Sequence, residues 1–239
     1  MLPTIEIDII ILSYAQNLDF IQMTNECIQS LMISEDPGTI KFNIIVIESN
    51  RNLEPYQYPY SKTVYTDQEF GYNKYMNIGI GLTSSPFICL CNNDLIFHYH
   101  WATNMVEAFE NYNLSSGSPI CSIHHPKIQI NLNSGIYPGY GVRREISGWC
   151  IFLKRDILKL IGKLDENYKF WCSDNDYANT LFILDIKHAL VTSSIVDHLE
   201  SRTLSSKTVE QQQQYIDKDL PYFKKKWNVR LGYSGWGFL

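Results

Sequence analysis

The residues of this chain best suited to chemistry stand where apolar runs break off. Phe87-Ile88-Cys89-Leu90-Cys91, a run of β-formers, gives way to Asn92-Asn93-Asp94. Ile9-Ile10-Ile11-Leu12 likewise gives way to Ser13-Tyr14-Ala15-Gln16-Asn17, and Phe42 to Ile47 gives way to Glu48-Ser49-Asn50. A carboxylate such as Asp94 at a strand end suits a hard divalent cation, Mg²⁺ or Mn²⁺, which prefers carboxylate oxygens and bridges phosphates. One carboxylate makes a weak metal site, so a second ligand is required. The best candidate is His198, which closes the apolar run Ala189 to Val196 after Asp197. If the strands are parallel neighbours, a nucleotide could bridge the clusters, with Glu48 accepting bonds from a base or ribose and Asp94 holding the cation on a pyrophosphate. Taken alone, Asn92-Asn93-Asp94 also reads as an Asx turn, and a lone histidine is more often a packing or surface residue.

Those positions call for a parallel sheet, because strands that stop together let their loops diverge into a ligand-binding crevice. The spacing supplies one. Phe20, Met23, Cys27, Ile28 and Leu31 predict a helix over 18–33, stopped by Asp36-Pro37-Gly38, between the first two strands. A strand, helix, strand unit of this length implies a right-handed crossover and parallel pairing. Residues 53–59 read as a loop and 63–66 as a short strand. A helix over 71–82 carries Gly79 and Gly81, which would let it approach the sheet closely, and a helix from Trp101 to Tyr112 follows. Further on, the pattern predicts a strand over 120–123, a mobile flap over 131–141, a strand over 146–153 and a short helix over 155–161. A helix over 177–184 comes next, with Asp176 as an alternative N-cap, then a strand over 189–196. An exposed helix from about Ser206 to Trp227 should break near Pro221. The class is α/β, a mostly parallel central sheet flanked by helices.

Composition bounds the function. At 239 residues, 45% hydrophobic and 19% charged, the chain is long enough and apolar enough to bury a substantial core. A net charge of -5 argues against nonspecific nucleic-acid binding, which needs a basic face to replace phosphate counterions. No apolar run is long enough to span a bilayer, and the N-terminus lacks the pattern of a signal peptide. Six cysteines without a CxxC spacing, mostly inside apolar segments, read as buried thiols of a soluble cytoplasmic protein rather than as disulfides or a zinc site.

The ordered motifs resemble family 2 glycosyltransferases of the GT-A fold, especially the rhamnosyltransferase-like branch. Ile9 to Tyr14 is similar to that family's first strand and its nucleotide-contacting exit, and Glu48 falls where it carries an acidic residue on the nucleoside. Gly71 to Ile80 resembles its glycine-to-Asn-x-Gly-Ile segment, which includes Asn77, and Cys91 to Asp94 resembles its Asp-x-Asp motif in an Asn-Asn-Asp form. Ser147-Gly148-Trp149 with Lys154-Arg155 is similar to its acceptor-side strand. Gly162 to Glu166 with Asp174-Asn175-Asp176 is similar to its Glu-Asp-x-Asp block, and Val196-Asp197-His198 to its late histidine. The matches run from about residue 7 to residue 201.

The resemblance implies inverting transfer of a sugar from a nucleoside diphosphate sugar to an acceptor hydroxyl, on a glycan or another molecule. It implies Asp174 as the base, and Asp94 and His198 as ligands of a divalent cation. Ser13, Tyr14, Glu48, Asn50, Asn77 and Asn93 would face the donor, and Trp149 and Trp171 would flank the acceptor. Two departures stand out: Asn92 replaces the first Asp of the metal motif, and Ser173 replaces the Glu that commonly precedes the base. The expected organisation is a catalytic domain over 1–205, with nucleotide binding in about 1–100 and acceptor binding in about 101–205, followed by a helical extension over 206–239. A nucleotidyltransferase is a weaker alternative, because Ser13 to Asn17 has neither glycine nor lysine to cradle a triphosphate. A non-catalytic binding module of the same fold is the other.

Overall fold

In the computed structural model, which describes residues 3–199 and 209–228, Ile7, Ile9, Ile10 and Ile11 are each 0% exposed. They lie on β1 (Ile5–Ser13), between β2 (Ile40–Glu48) and β4 (Phe87–Asn92), both parallel to it. A strand covered on both faces reads as a continuous apolar run, and each buried isoleucine contributes about 1.5–3 kcal/mol. β3 (Lys62–Val64) extends the parallel set beyond β2.

The sheet is parallel in this half and mixed in the other. Its order is β3-β2-β1-β4-β8-β6-β9-β5, with β7 (Ile136–Pro138) paired to β9 (His188–His198). β8 (Cys150–Lys154) runs antiparallel to β4 and to β6 (Ser116–Ile120), and β6 runs parallel to β9. The short β5 (Leu95–Phe97) pairs antiparallel with the end of β9.

Helices cover both faces. α1 (Leu18–Ile33) and α3 (Trp101–Asn111) bury Cys27, Ile28, Leu31, Trp101, Met105 and Phe109 on the side of Ile9 and Ile11. α2 (Tyr72–Gly81) and α5 (Ser173–Ile183) bury Tyr75, Met76, Tyr177 and Leu181 on the side of Ile10. The expected close approach of α2 occurs at Gly79, where a Cβ would lie 2.4 Å from Ile10 Cγ2, and not at Gly81, which has nothing within 4 Å. Toward the start of β1, Asp8 is buried and accepts bonds from Ser85 N, Ser85 Oγ and Arg155 Nη2, tying β1 to the segments before β4 and after β8.

Several expectations change. The flap over 131–141 is held in part, since Ile136, Tyr137 and Pro138 pair with Val191, Leu190 and Ala189. Ile146 belongs to no strand; it is apolar because it is buried in a turn against the core, and the strand starts only at Cys150. Residues 155–161 divide into a 3₁₀ turn, Arg155–Ile157, and α4 (Leu158–Ile161). α6 (Val209–Trp227) runs through Pro221 without ending, and Asp219 and Tyr222 anchor it to the body on either side of the proline. All six cysteines are free and buried. Among the described residues, no helix is long and apolar enough to cross a membrane.

Candidate active site

Parallel register brings the three polar clusters to one sheet edge. Ser13 pairs with Glu48, and Leu12 with Asn92. There the side chains separate into an inner shell and an outer rim.

Ser13, Glu48 and Asn93 form the inner shell and are at most 4% exposed. Glu48 Oε1 accepts from the backbone N–H groups of Ala15 and Asn50, and Oε2 accepts from the Tyr58 hydroxyl at 2.8 Å. Burial, then the Glu48 charge, pushes the Tyr58 hydroxyl well above its ordinary range and keeps it a donor. Ser13 Oγ lies 3.2 Å from both the Tyr58 and the Thr24 hydroxyl, and Asn93 Nδ2 donates to Thr24 Oγ1 at 2.8 Å. Asn50 Nδ2 donates to Ala15 O at 2.6 Å. The polar atoms of this group are thus engaged with one another and with the loop 13–17, whose Tyr14 side chain is 39% exposed at the edge. In this conformation the shell shapes that loop, and Tyr14, Gln16 and Asn17 are the groups it presents outward. Asn77 lies elsewhere: it exchanges bonds with Leu164 N and O and donates to Glu166, stapling α2 to the segment 164–166.

On the outer rim, β5–β9 pairing sets Leu95 opposite His198, and Leu199 N donates to Asp94 O. His198 Nε2 comes within 3.3 Å of Asp94 Oδ1. Both atoms are buried, and neither has a hydrogen-bond partner. The imidazole lies flat on the Trp149 indole, ring centres 5.0 Å apart and planes within 6°, and His124 meets the same indole edge-on. Trp149, expected beside an acceptor, therefore braces His198. The neighbouring Asp197 is engaged by Ser122 and His98; burial pushes its carboxyl up, but those hydrogen bonds outweigh it and hold it below the usual carboxylate range.

Asp174 stands in the first turn of α5, and burial pushes its carboxyl above the usual range despite the Asn175 N–H and the charge of Arg143. Its carboxylate fits only because residue 148 is glycine, where a Cβ would sit 2.8 Å from Asp174 Oδ2. Gly148 and Trp149 are consecutive, so one dipeptide meets Asp174 through its first residue and His198 through its second. Tyr72 donates to Gly148 O at 3.4 Å, steadying the dipeptide from α2. Asp176 is not the N-cap, a position held by Cys172. Its Oδ1 instead accepts from the Tyr168 hydroxyl and Trp227 Nε1 and pairs with Lys226. Trp171 lies in the segment between α4 and α5, just before Asp174, where its backbone N–H donates to Asp219 Oδ2.

The architecture matches solved structures at low identity. One is GalNAc-T7 with UDP, GalNAc and Mn²⁺, with a TM-score of 0.64 and 11% identity over 82% of this chain and 44% of that one. A second is the mannosyltransferase PcManGT from Pyrobaculum calidifontis in complex with GDP-Man and Mn²⁺, with a TM-score of 0.58 and 10% identity over 82% and 57%. A third is residues 1–349 of TarS from S. aureus, with a TM-score of 0.60 and 13% identity over 80% and 59%. The chain has the GT-A fold. It spans about half the length of the structures it matches. No protein-family model matches it, and no curated relative does.

Within this GT-A fold, Gly148, Tyr72 and Asp219 are candidate site residues that the sequence did not single out by themselves. Gly148 stood inside a recognised motif, but nothing local marks it as the neighbour of Asp174, 26 positions away. Asp219 lies in a polar helix whose pattern reads as solvent-exposed, although it is 1% exposed.

Proposed function

We propose that the chain is an inverting glycosyltransferase that moves a sugar from a nucleoside diphosphate sugar to an acceptor hydroxyl with the help of a divalent cation. The observation that carries the reading is the pair of buried atoms Asp94 Oδ1 and His198 Nε2, 3.3 Å apart and without a hydrogen-bond partner, joined through the Gly148-Trp149 dipeptide to a half-buried carboxylate, Asp174. The oxygen and nitrogen donors fit a cation such as Mn²⁺ or Mg²⁺, which leaves further positions for diphosphate oxygens and water. Such a cation, when bound, supplies charge neutralisation of the departing diphosphate. Mn²⁺ is present in two of the similar structures, GalNAc-T7 and PcManGT, each with a nucleotide or nucleotide sugar.

The chemistry asked of the chain is then short. Asp174 accepts the acceptor hydroxyl's proton as that oxygen attacks the anomeric carbon, and the bond to the diphosphate breaks on the opposite face, which inverts the configuration. Burial makes the Asp174 carboxylate a better proton acceptor than an ordinary surface aspartate. Trp149 keeps the His198 ring in one orientation, and the shell around Glu48 and Tyr58 holds the loop bearing Tyr14 in a fixed shape toward the donor. The motif series favours family 2, of its rhamnosyltransferase-like branch, and the six free buried thiols favour a cytoplasmic setting.

The test is a panel of UDP, GDP, dTDP and CDP sugars, first by thermal shift and then by donor hydrolysis with and without Mn²⁺. Cation-dependent release of nucleoside diphosphate is expected for at least one donor. Donor binding with no turnover would leave a sugar-nucleotide binding module in place of an enzyme.

A further inference from the structure

Lys169, Phe170 and Trp171 lead from the fully buried Tyr168 into α5. Their three successive backbone N–H groups converge on one side chain of α6: Lys169 N donates to Asp219 Oδ1 at 3.0 Å, and Phe170 N and Trp171 N donate to Oδ2 at 2.7 Å each. A run of N–H groups folded around a carboxylate is a strong anchor, because each bond is charge-assisted. The next residue, Cys172, is a non-glycine in the left-handed region at φ 61, and Asp174 follows in the first helical turn. A left-handed residue holds its conformation only where its surroundings fix it. Here the fixing comes from α6 in front, through Asp219, and behind, where Lys226 and Trp227 take Asp176. Tyr72 N, donating to Lys169 O at 2.8 Å, grips the same segment from α2.

We infer that Asp219 is a positioning residue for Asp174: the C-terminal helix sets, through one buried carboxylate, where the proposed base sits against Gly148. The catalytic meaning of this inference rests on the transferase reading; the anchoring itself does not. Asparagine cannot take over the role, because it offers one acceptor oxygen and turns an NH₂ toward an N–H.

The experiment compares the full chain with Asp219→Ala and Asp219→Asn by two measurements. Amide hydrogen exchange at 172–176 should quicken about tenfold or more in both variants while exchange at 178–182 stays at the parent rate, since only the anchored turn is released. Turnover of the donor should fall between about ten- and a hundredfold with its KM unchanged, as expected for a displaced reacting group. Parent-like exchange at 172–176 in a folded variant overturns the inference. So does unfolding of both variants, because Asp219 would then support the whole domain rather than one turn. A parent chain that turns over no donor removes the transferase reading, while the exchange data still decide the anchor.

Discussion

His198 Nε2 and Asp94 Oδ1 lie 3.3 Å apart at the end of the β5–β9 ladder, yet the geometry between them makes no hydrogen bond. Leaving a buried polar atom unsatisfied costs about 1–3 kcal/mol. The two atoms stand at ion-pair distance from each other, and under the proposed reading a shared cation would satisfy both. The stacked Trp149 ring braces one face of the imidazole.

His198→Ala should therefore weaken Mn²⁺-dependent binding of a nucleoside diphosphate, and Asp94→Asn should do the same. Calorimetric titrations of metal into protein with and without nucleotide will show it, and removal of metal from the parent by EDTA should reproduce the loss. Superimposable titrations for mutant and parent would reject these ligands.

Asp174→Asn removes the proton acceptor and leaves the shape. Turnover should drop by roughly 10² to 10⁴ while donor affinity is kept. Steady-state kinetics beside a nucleotide-binding measurement tests this, and unchanged turnover would remove Asp174 from the role.

Gly148→Ala introduces a methyl group 2.8 Å from Asp174 Oδ2, closer than Cβ contacts in real proteins. The carboxylate must move away, so turnover should fall about tenfold or more with the fold intact, in line with the sensitivity of reacting groups to small displacements. Parent-like kinetics in a variant with a parent-like melting curve would show that the two residues are not tightly coupled.

Arg155→Met breaks the buried pair with Asp8 and should cost about 3 kcal/mol in a urea melt, without altering nucleotide affinity. The pH dependence has a definite sign. Burial pushes the Asp8 carboxyl up, but hydrogen bonds from Ser85 and Asn43 outweigh it and hold it below the ordinary value of 3.8. A depressed carboxylate contributes stability that is full above the unfolded value and is lost as pH falls through the folded one. Asp8→Asn should accordingly flatten the stability curve below about pH 4, and an unaltered acid limb would count against it.

Much of the sheet was legible in the chain. Isoleucine runs as long as 9–11 occur where a strand is covered on both faces, and the helical spacing of Phe20 to Leu31 and of Trp101 to Phe109 marked the two helices on one of those faces. What escaped was pairing between distant segments. The three-residue β5 is too short to show a period, yet it carries Asp94 to His198. Ile146 looked like strand because burial alone makes a residue apolar, whatever its backbone does.

The sequence by itself determined the parallel half of the sheet and the arrival of Ser13, Glu48 and Asn92 at one edge, because those depend on local periodicity and on short crossovers. Only the tertiary structure decided which polar groups are engaged and which are left open. Glu48 and Asp94 are both acidic residues at strand ends, but the first is surrounded by three donors and the second faces an imidazole with an unpartnered oxygen. That difference comes from residues 10 to more than 100 positions away, Tyr58 for one and His198 for the other, and side-chain satisfaction is a property of neighbours in space rather than in sequence.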